Sequence, residues 1–421
     1  MQFSIFSPCL QGANLPVLCR TKAALSNYLT ADLIAAKLIT KIDFRELNKQ
    51  NNTDKKSEQT IKVMEKKNLK GMTKEELYSF FEEIGEKSFR GLQMTKHMYQ
   101  RGISDFDEMT DFGKKLRDKL KNIAYIEDIK TLRHLISSQK DTEKFLFGLS
   151  DGNCLESVIM SYEDHIGPSR LTACISTQVG CLMGCSFCAT GKSGFIRNLT
   201  AGEIADQIIQ MQKIIAPSER RIANVVMMGM GEPMLNYDNV MKAVDIINCA
   251  EGIAIGMRHI AISTCGIIPG IKKLAKEGIQ VKLAVSLHSP FNEIRSKIMP
   301  INKKYPLPEL MKALKEYQEI TGRRITFEYA MIDGVNDDIN SAEELARILE
   351  GFTALINLIP LNNVTEYGKK RSTDEKIEKF KSFMENKGIR TTIRKERGTD
   401  INAACGQLRK KVLEEQENEH R

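Results

Sequence analysis

Apolar positions recur along this chain in three rhythms, each predicting a different kind of element. From Thr73 to Ile123 the period is helical. Thr73 and Glu76 form a capping box ahead of Leu77, Phe80 and Phe81, a second helix is predicted over residues 87–101, and a third from Phe112 to Ile123. Residues 130–163 switch to short apolar runs, Phe145–Leu149 and Ser157–Met160, broken by Asp151, Gly152 and Asn153. These predict antiparallel strands and a hairpin.

Beyond residue 170, strand and helix patterns alternate. Strands are predicted at Leu171–Ser176, Ile222–Met228, His259–Ser263, Val281–Leu287, Ile325–Met331 and Ala354–Pro360. Helices are predicted at Ala201–Ile215, Asn239–Cys249, Ile268–Glu277, Leu307–Thr321 and Ala342–Glu350. The first is the best specified: Thr200 caps it, Glu203 closes the box, and Ile204, Ile208, Met211 and Ile215 line one face. Six βα units predict an α/β fold, a parallel sheet curling into a partial (β/α)6 TIM-like barrel short of the eight units of a complete one. The organisation read from these patterns is an extension or linker (1–63), a helical accessory domain (64–125), an antiparallel β extension (126–168), the barrel with its C-terminal loop (169–412) and a polar tail (413–421).

Composition changes this picture at the N-terminus. The first 31 residues hold no acidic side chain and residues 46–67 are rich in Lys, Asn and Gln, so the stretch before Met64 reads as an upstream extension or over-long start, with a targeting segment or a small accessory element as the alternatives. The balance of 42% apolar and 28% charged residues excludes a wholly disordered chain. No apolar run approaches the roughly 18–20 residues that cross a bilayer, so no membrane partner is expected. Sixty-two Lys and Arg against 54 Asp and Glu leave +8, which permits a polyanionic partner without identifying one.

The ten cysteines carry the candidate chemistry. With no charged region leading into an apolar one at the start, a reducing cytosol is the expected setting, where clustered cysteines bind metal or do redox work. Cys181, Cys185 and Cys188 form a CxxxCxxC run. Recruiting Cys174 would give a closed four-ligand zinc site. Three thiolates alone suit a [4Fe–4S] cluster with one iron open to a ligand. The run follows the first barrel strand, at the end where βα folds gather their chemistry. Polar residues close other strands there: Gly231 and Glu232 in a Gly-rich loop, Ser263, Ser286-Leu287-His288, and Asn362. Such a ring suits a small polar cofactor across the barrel mouth.

These features, taken together, resemble the radical S-adenosylmethionine superfamily. The likeness is closer still to the dual-specificity adenine C2-methyltransferases that modify 23S rRNA and certain tRNAs. It rests on Cys174-Ile-Ser-Thr-Gln-Val-Gly-Cys181, Gly194-Phe-Ile-Arg-Asn-Leu199, Met228-Gly-Met-Gly-Glu-Pro233, Ile262-Ser-Thr264, Ala284-Val-Ser-Leu-His288 and Asp400-Ile-Asn-Ala-Ala-Cys-Gly-Gln-Leu408. It spans about Met64 to Val412 and leaves residues 1–63 uncovered.

The resemblance implies a [4Fe–4S] cluster on Cys181, Cys185 and Cys188, and S-adenosylmethionine held by Gly231, Glu232, Ser263, Ser286, Leu287, His288 and Asn362. It implies that Cys405 is methylated first and then joined through that carbon to adenine C2. Glu156 takes the proton, and Cys174 releases the product by forming a disulfide with Cys405. An external electron donor and a thiol reductant follow as partners beside 23S rRNA and tRNA, with the enzyme a cytoplasmic monomer. Lys and Arg at 114–121, 197, 369–371, 394–397 and 409–411 are the expected phosphate contacts. Cys154, Cys249 and Cys265 match no motif role and read as structural. Two alternatives stand: the sister C8-methyltransferases of antibiotic resistance, and a non-catalytic RNA-binding protein with structural zinc.

Overall fold

The computed structural model describes residues 66–162, 170–192, 194–362 and 370–403. The extension before Met64, Cys405, the basic residues 409–411 and the polar tail lie outside them.

Strand β1 (Lys67–Asn68) precedes α1 (Lys74–Glu83), which starts at the predicted box: Thr73 accepts from the Glu76 amide and Glu76 from the Thr73 amide. The predicted second helix is α2 (Phe89–Thr95) continued by one π-helical turn, Lys96–Gln100. Helix α3 (Lys114–Ile123) leads into β2 (Ala124–Tyr125), the parallel partner of β1. Phe81, Met94, Met98 and Phe112 are buried among these elements. The module meets the barrel where two glycines touch. A Cβ on Gly71 (φ +92°) would lie 2.7 Å from the Gly202 nitrogen, so neither position has room for a side chain. Beside them Lys70 Nζ sits 2.6 Å from Asp128 and 2.7 Å from Asp206. Asp206 also accepts from the Ile129 amide.

Antiparallel strands β3 (Lys130–Ile136), β4 (Thr142–Gly148) and β5 (Cys154–Tyr162) are continuous with the barrel sheet, because β5 pairs antiparallel with β6 (Arg170–Cys174). A short hairpin, β7 (Gln178–Gly180) and β8 (Phe195–Asn198), encloses the cysteine run and a four-residue α4 (Ala189–Lys192). Then follow α5 (Ala201–Ile215), β9 (Ile222–Met227), α6 (Tyr237–Asn248), β10 (Ile260–Thr264), α7 (Ile268–Lys276), β11 (Lys282–Ser286), α8 (Asn292–Ile298) and α9 (Leu307–Thr321). The chain continues through β12 (Ile325–Met331), α10 (Ile339–Ile348), β13 (Ala354–Pro360), α11 (Asp374–Asn386) and β14 (Thr391–Ile393). Among the described residues the sheet runs β14-β13-β12-β11-β10-β9-β6-β5-β4-β3. Strand β14 is a seventh parallel strand that the rhythm did not predict; three residues carry too little periodicity.

The α/β reading holds, with helices along a central parallel sheet. The sheet also curls. The segment after β14, at one end of the strand order, bonds to the β3–β4 turn and to β5 near the other. Arg397 pairs with Asp141 at 2.9 Å and donates to the Ser161 carbonyl, and Asp400 accepts from the Ser138 amide. Along the strands, buried Ile262, Leu283, Val285, Phe327 and Ile356 alternate with Ser263, Ala284, Ser286, Glu328 and Asn357 on the lumen face. Register places Lys144, Val158, Cys174, Val226 and Ala261 in one cross-strand row on that face.

Candidate active site

A cavity of about 170 Å³ opens where the parallel strands end. Of the predicted strand-end residues, Gly231, Glu232, Ser263, Ser286, His288 and Asn362 line it. Leu287 does not: it is fully buried, and strand alternation turns it away between Ser286 and His288. Cys181, Cys185 and Cys188 line the same cavity. Their loop is pinned by the Cys181 amide donating to the Gly194 carbonyl (2.8 Å) and the Ser186 amide donating to the Ile298 carbonyl (2.9 Å). Phe187 packs edge-on against His288 at 4.7 Å, tying the loop to the end of β11.

Burial pushes the Cys181 thiol up to about 12, and burial with the neighbouring Cys188 and Cys181 thiols pushes Cys185 up further. Three partly buried thiols on one cavity wall, two of them with their ionised form disfavoured, fit a metal-bearing group that would stabilise thiolates. Cys174 is absent from the cavity walls, so the fold does not bring it in as a fourth ligand. A different cysteine does line them. Cys265, read from sequence as structural, donates its amide to Glu232 at 2.7 Å and its thiol to the same carboxylate.

Glu232 is almost fully buried and also accepts from the Met234 amide at 3.0 Å; burial raises its pKa. The Gly231 turn (φ +107°) carries it past Gln178, whose side chain would lie 2.6 Å from any added Cβ. Arg295 is a second polar group that sequence reading missed. It is completely buried, and its guanidinium donates to the Leu287, Cys265 and Ser286 carbonyls and to Asn302 Oδ1 at 2.6–3.1 Å. Desolvation lowers its pKa to about 10, leaving it a buried cation behind the cavity. His288 has φ +56°, held by Asn336 donating to its carbonyl at 2.6 Å. Its Nδ1 accepts from the Ala330 amide, and burial lowers its pKa to about 3. The ring is therefore neutral with its proton on Nε2.

Glu156 and Cys174 lie apart from the cavity walls but on the lumen face of adjacent strands, since Cys174 is opposite Val158 and Glu156 is two residues from it. Ser176 joins the two regions. Its hydroxyl donates to the Glu156 carbonyl (2.7 Å) and accepts from the Met230 amide (2.9 Å) in the Gly-rich loop. A smaller cavity shares Asn362 and Arg394 with the first and is walled by Met160 on β5 and by Ala403. Sequence reading also missed Lys144, whose Nζ lies 2.6 Å from Glu156 and donates to the Asn402 carbonyl at 3.2 Å. A lysine inside the apolar run Phe145–Leu149 would have been the signal, had it not stood at the run's edge.

The basic positions divide. Arg197 is committed to Asp151 and Glu203, Lys121 to Asp107, and Arg371 to Asp374 and Glu396, so they serve the fold. Lys114, Lys115 and Lys395 take no carboxylate partner among the described residues.

Comparison with known proteins agrees with this geometry. Residues 67–126 match the ribosomal RNA large subunit methyltransferase N-terminal domain, and residues 175–346 match the radical SAM superfamily. The chain is 50% identical over 348 residues to a probable dual-specificity RNA methyltransferase RlmN of Thermoanaerobacter sp. (strain X514), covering 83% of this chain and 99% of that one. It is 49% identical over 351 residues to the protein of the same description from Alkaliphilus oremlandii (strain OhILAs), 83% and 100% covered. The crystal structure of a radical SAM methyltransferase from Sphaerobacter thermophilus superposes with a TM-score of 0.78 at 43% identity, over 82% of this chain and all of that one. With the cysteine cavity, the RNA methyltransferase N-terminal module and near-complete coverage of these relatives in agreement, the chain belongs to the RlmN family of radical SAM RNA methyltransferases.

Proposed function

We propose that this enzyme methylates C2 of an adenosine in the peptidyl transferase centre of 23S rRNA and of the adenosine next to the anticodon in tRNAs, through a methylated cysteine and a covalent enzyme–RNA intermediate. The observation that carries the reading is the lumen strip: Glu156 and Cys174 share one sheet face, and the segment running toward Cys405 is bonded to the same strands. The names of the relatives, dual-specificity RNA methyltransferases, support the substrate class.

Adenine C2 lies between two ring nitrogens, is electron-poor, and does not attack an electrophilic methyl group. Superfamily membership implies a [4Fe–4S] cluster and S-adenosylmethionine, and Cys181, Cys185 and Cys188 would hold the cluster. When bound, this pair supplies a carbon radical able to cleave an unactivated C–H bond. Gly231, Glu232, Ser263, Ser286, His288 and Asn362 orient the S-adenosylmethionine, and the neutral His288 offers it a single donor. Cys405 first takes a methyl group from one S-adenosylmethionine onto its sulfur and loses its thiol proton. One hydrogen atom then leaves that methyl group, the resulting carbon radical adds to adenine C2, and the adduct gives back the one electron that started the cycle. The C2 proton passes to the Glu156 carboxylate and its electron pair stays with the ring. The Cys174 thiolate then attacks the Cys405 sulfur. The S–S bond forms, the S–C bond breaks, and its electron pair leaves with the carbon, which takes up a proton to become the product methyl. An external thiol reduces the disulfide before the next turnover, which fits a cytoplasmic setting. An external electron donor is also required, and a monomer suffices because every proposed group lies in one chain.

The target base must leave its stack to reach the strip, and Lys114, Lys115 and Lys395 are the proposed phosphate contacts. No helix among the described residues is long and apolar enough to cross a membrane. The test is nucleoside mass spectrometry of rRNA and tRNA from a host lacking its own enzyme and expressing this one. The expected result is 2-methyladenosine in both. Finding 8-methyladenosine instead would assign the sister activity, and unmodified RNA would overturn the proposal.

A further inference from the structure

Lys144 has no place in the chemistry above, yet its surroundings are unusual. Its side chain and that of Glu156 are only 11% and 8% exposed, with Nζ and Oε1 2.6 Å apart. They stand diagonally across β4 and β5, Lys144 opposite Val158 and Glu156 opposite Leu146, a separation a long side chain spans. Burying such a pair is no route to stability, because desolvation offsets the attraction and an apolar pair of the same volume does as well or better. The preceding residue of β4 illustrates the contrast. Glu143 faces away from the lumen, where Arg220 and His134 hold it at 2.6 Å and 2.8 Å. Lys144 instead has a second contact that leaves the sheet, donating to the Asn402 carbonyl at 3.2 Å. Asn402 lies three residues before Cys405 on a segment already fastened by Asp400 to the Ser138 amide and by Arg397 to Asp141.

We infer that Lys144 is a positioning residue, holding the Glu156 carboxylate toward the lumen and fastening beside it the segment 397–402, which leads toward Cys405 in the sequence. The inference rests on Glu156 being the proton acceptor. An ammonium shared between the carboxylate and the Asn402 carbonyl fixes the two relative to each other. Loss of Lys144 leaves the carboxylate present but misdirected, so removal of the C2 proton slows while the earlier methylation of Cys405 does not.

The experiment uses the full-length holoenzyme with Lys144→Met, Lys144→Arg and Glu156→Gln. Each is assayed for iron content, for Cys405 methylation by peptide mass spectrometry, for RNA methylation, and for enzyme–RNA adduct on denaturing gels. The expected result for Lys144→Met is normal iron and normal Cys405 methylation, RNA methylation lower by at least about tenfold, and adduct accumulating as in Glu156→Gln. Lys144→Arg, which keeps a cation with similar reach, restores most of the rate. Should Lys144→Met fail to fold, Lys144→Arg against Lys144→Gln carries the same comparison. Wild-type RNA methylation by Lys144→Met beside an impaired Glu156→Gln overturns the inference. So does lost activity with no adduct and no rescue by arginine, which would make Lys144 a purely structural group. Wild-type activity of Glu156→Gln would instead remove the proton-acceptor reading itself, whatever Lys144→Met does.

Discussion

The thiol-lined cavity and the lumen strip of β4–β6 are built in opposite ways. The cavity is made from the ends of consecutive parallel strands, and backbone fixes its shape: Gly231 in a left-handed turn, His288 held at φ +56°, and Arg295 bonded to three carbonyls. The strip spans the gap of an incomplete barrel. Its partners are antiparallel strands from before the barrel and a segment from after it, joined by ion pairs and single hydrogen bonds. The difference teaches that cavity groups are integral to the fold, whereas strip groups can change without unfolding it. A cofactor bound every turnover suits the first design, and a cysteine that must exchange partners suits the second.

The sharpest way to test the cavity side is to remove a proposed ligand. Cys185→Ala should lose the cluster absorbance and all RNA methylation while keeping native circular dichroism; a variant with full iron content would break the comparison. Next in size is Arg295→Met, which leaves four buried acceptors without their donor and should cost roughly 3 kcal/mol, read as a lower melting temperature. An unchanged melting curve would show that the cavity is not integral to the fold. A smaller effect is expected from pH. Burial raises the Glu232 carboxyl, so it gains its proton at a pH where an ordinary glutamate, near about 4.3, is still ionised. With the Glu232 carboxylate proposed to hold S-adenosylmethionine, affinity should therefore fall on acidification, starting above the pH at which an ordinary glutamate takes up its proton. Calorimetry with Glu232→Gln should give weak binding with a flat profile, and an equally flat wild type would contradict this. The smallest effect belongs to the strip. Asp400→Ala releases one tether at Ser138 and should slow RNA methylation by up to about tenfold at unchanged melting temperature.

Much of the cavity was legible in the sequence because its residues sit beside strand ends, where periodicity stops and polar residues gather. The rhythm located α5, α9, β12 and β13 at their observed limits, and six of seven strand-end residues line the cavity. Leu287 stands outside the cavity walls because adjacency in a motif ignores the alternation of faces. Arg295 gave no signal, since its role depends on carbonyls brought together only by folding. Cys265 had the positional signal, directly after Ser263-Thr264, but no motif spacing. The strip was the least legible part. Glu156 and Cys174 were found through resemblance, whereas Lys144 and the tethers of residues 397–402 depend on closing the barrel gap, a contact between segments more than two hundred residues apart.

The most direct test of the account is the Cys174→Ala holoenzyme incubated with rRNA and analysed by denaturing gel and peptide mapping. If the strip joins enzyme to base, this variant retains its cluster and accumulates an RNA-linked protein whose cross-linked peptide contains Cys405. A Cys174→Ala enzyme with an intact cluster that either methylates RNA normally or forms no adduct would contradict it.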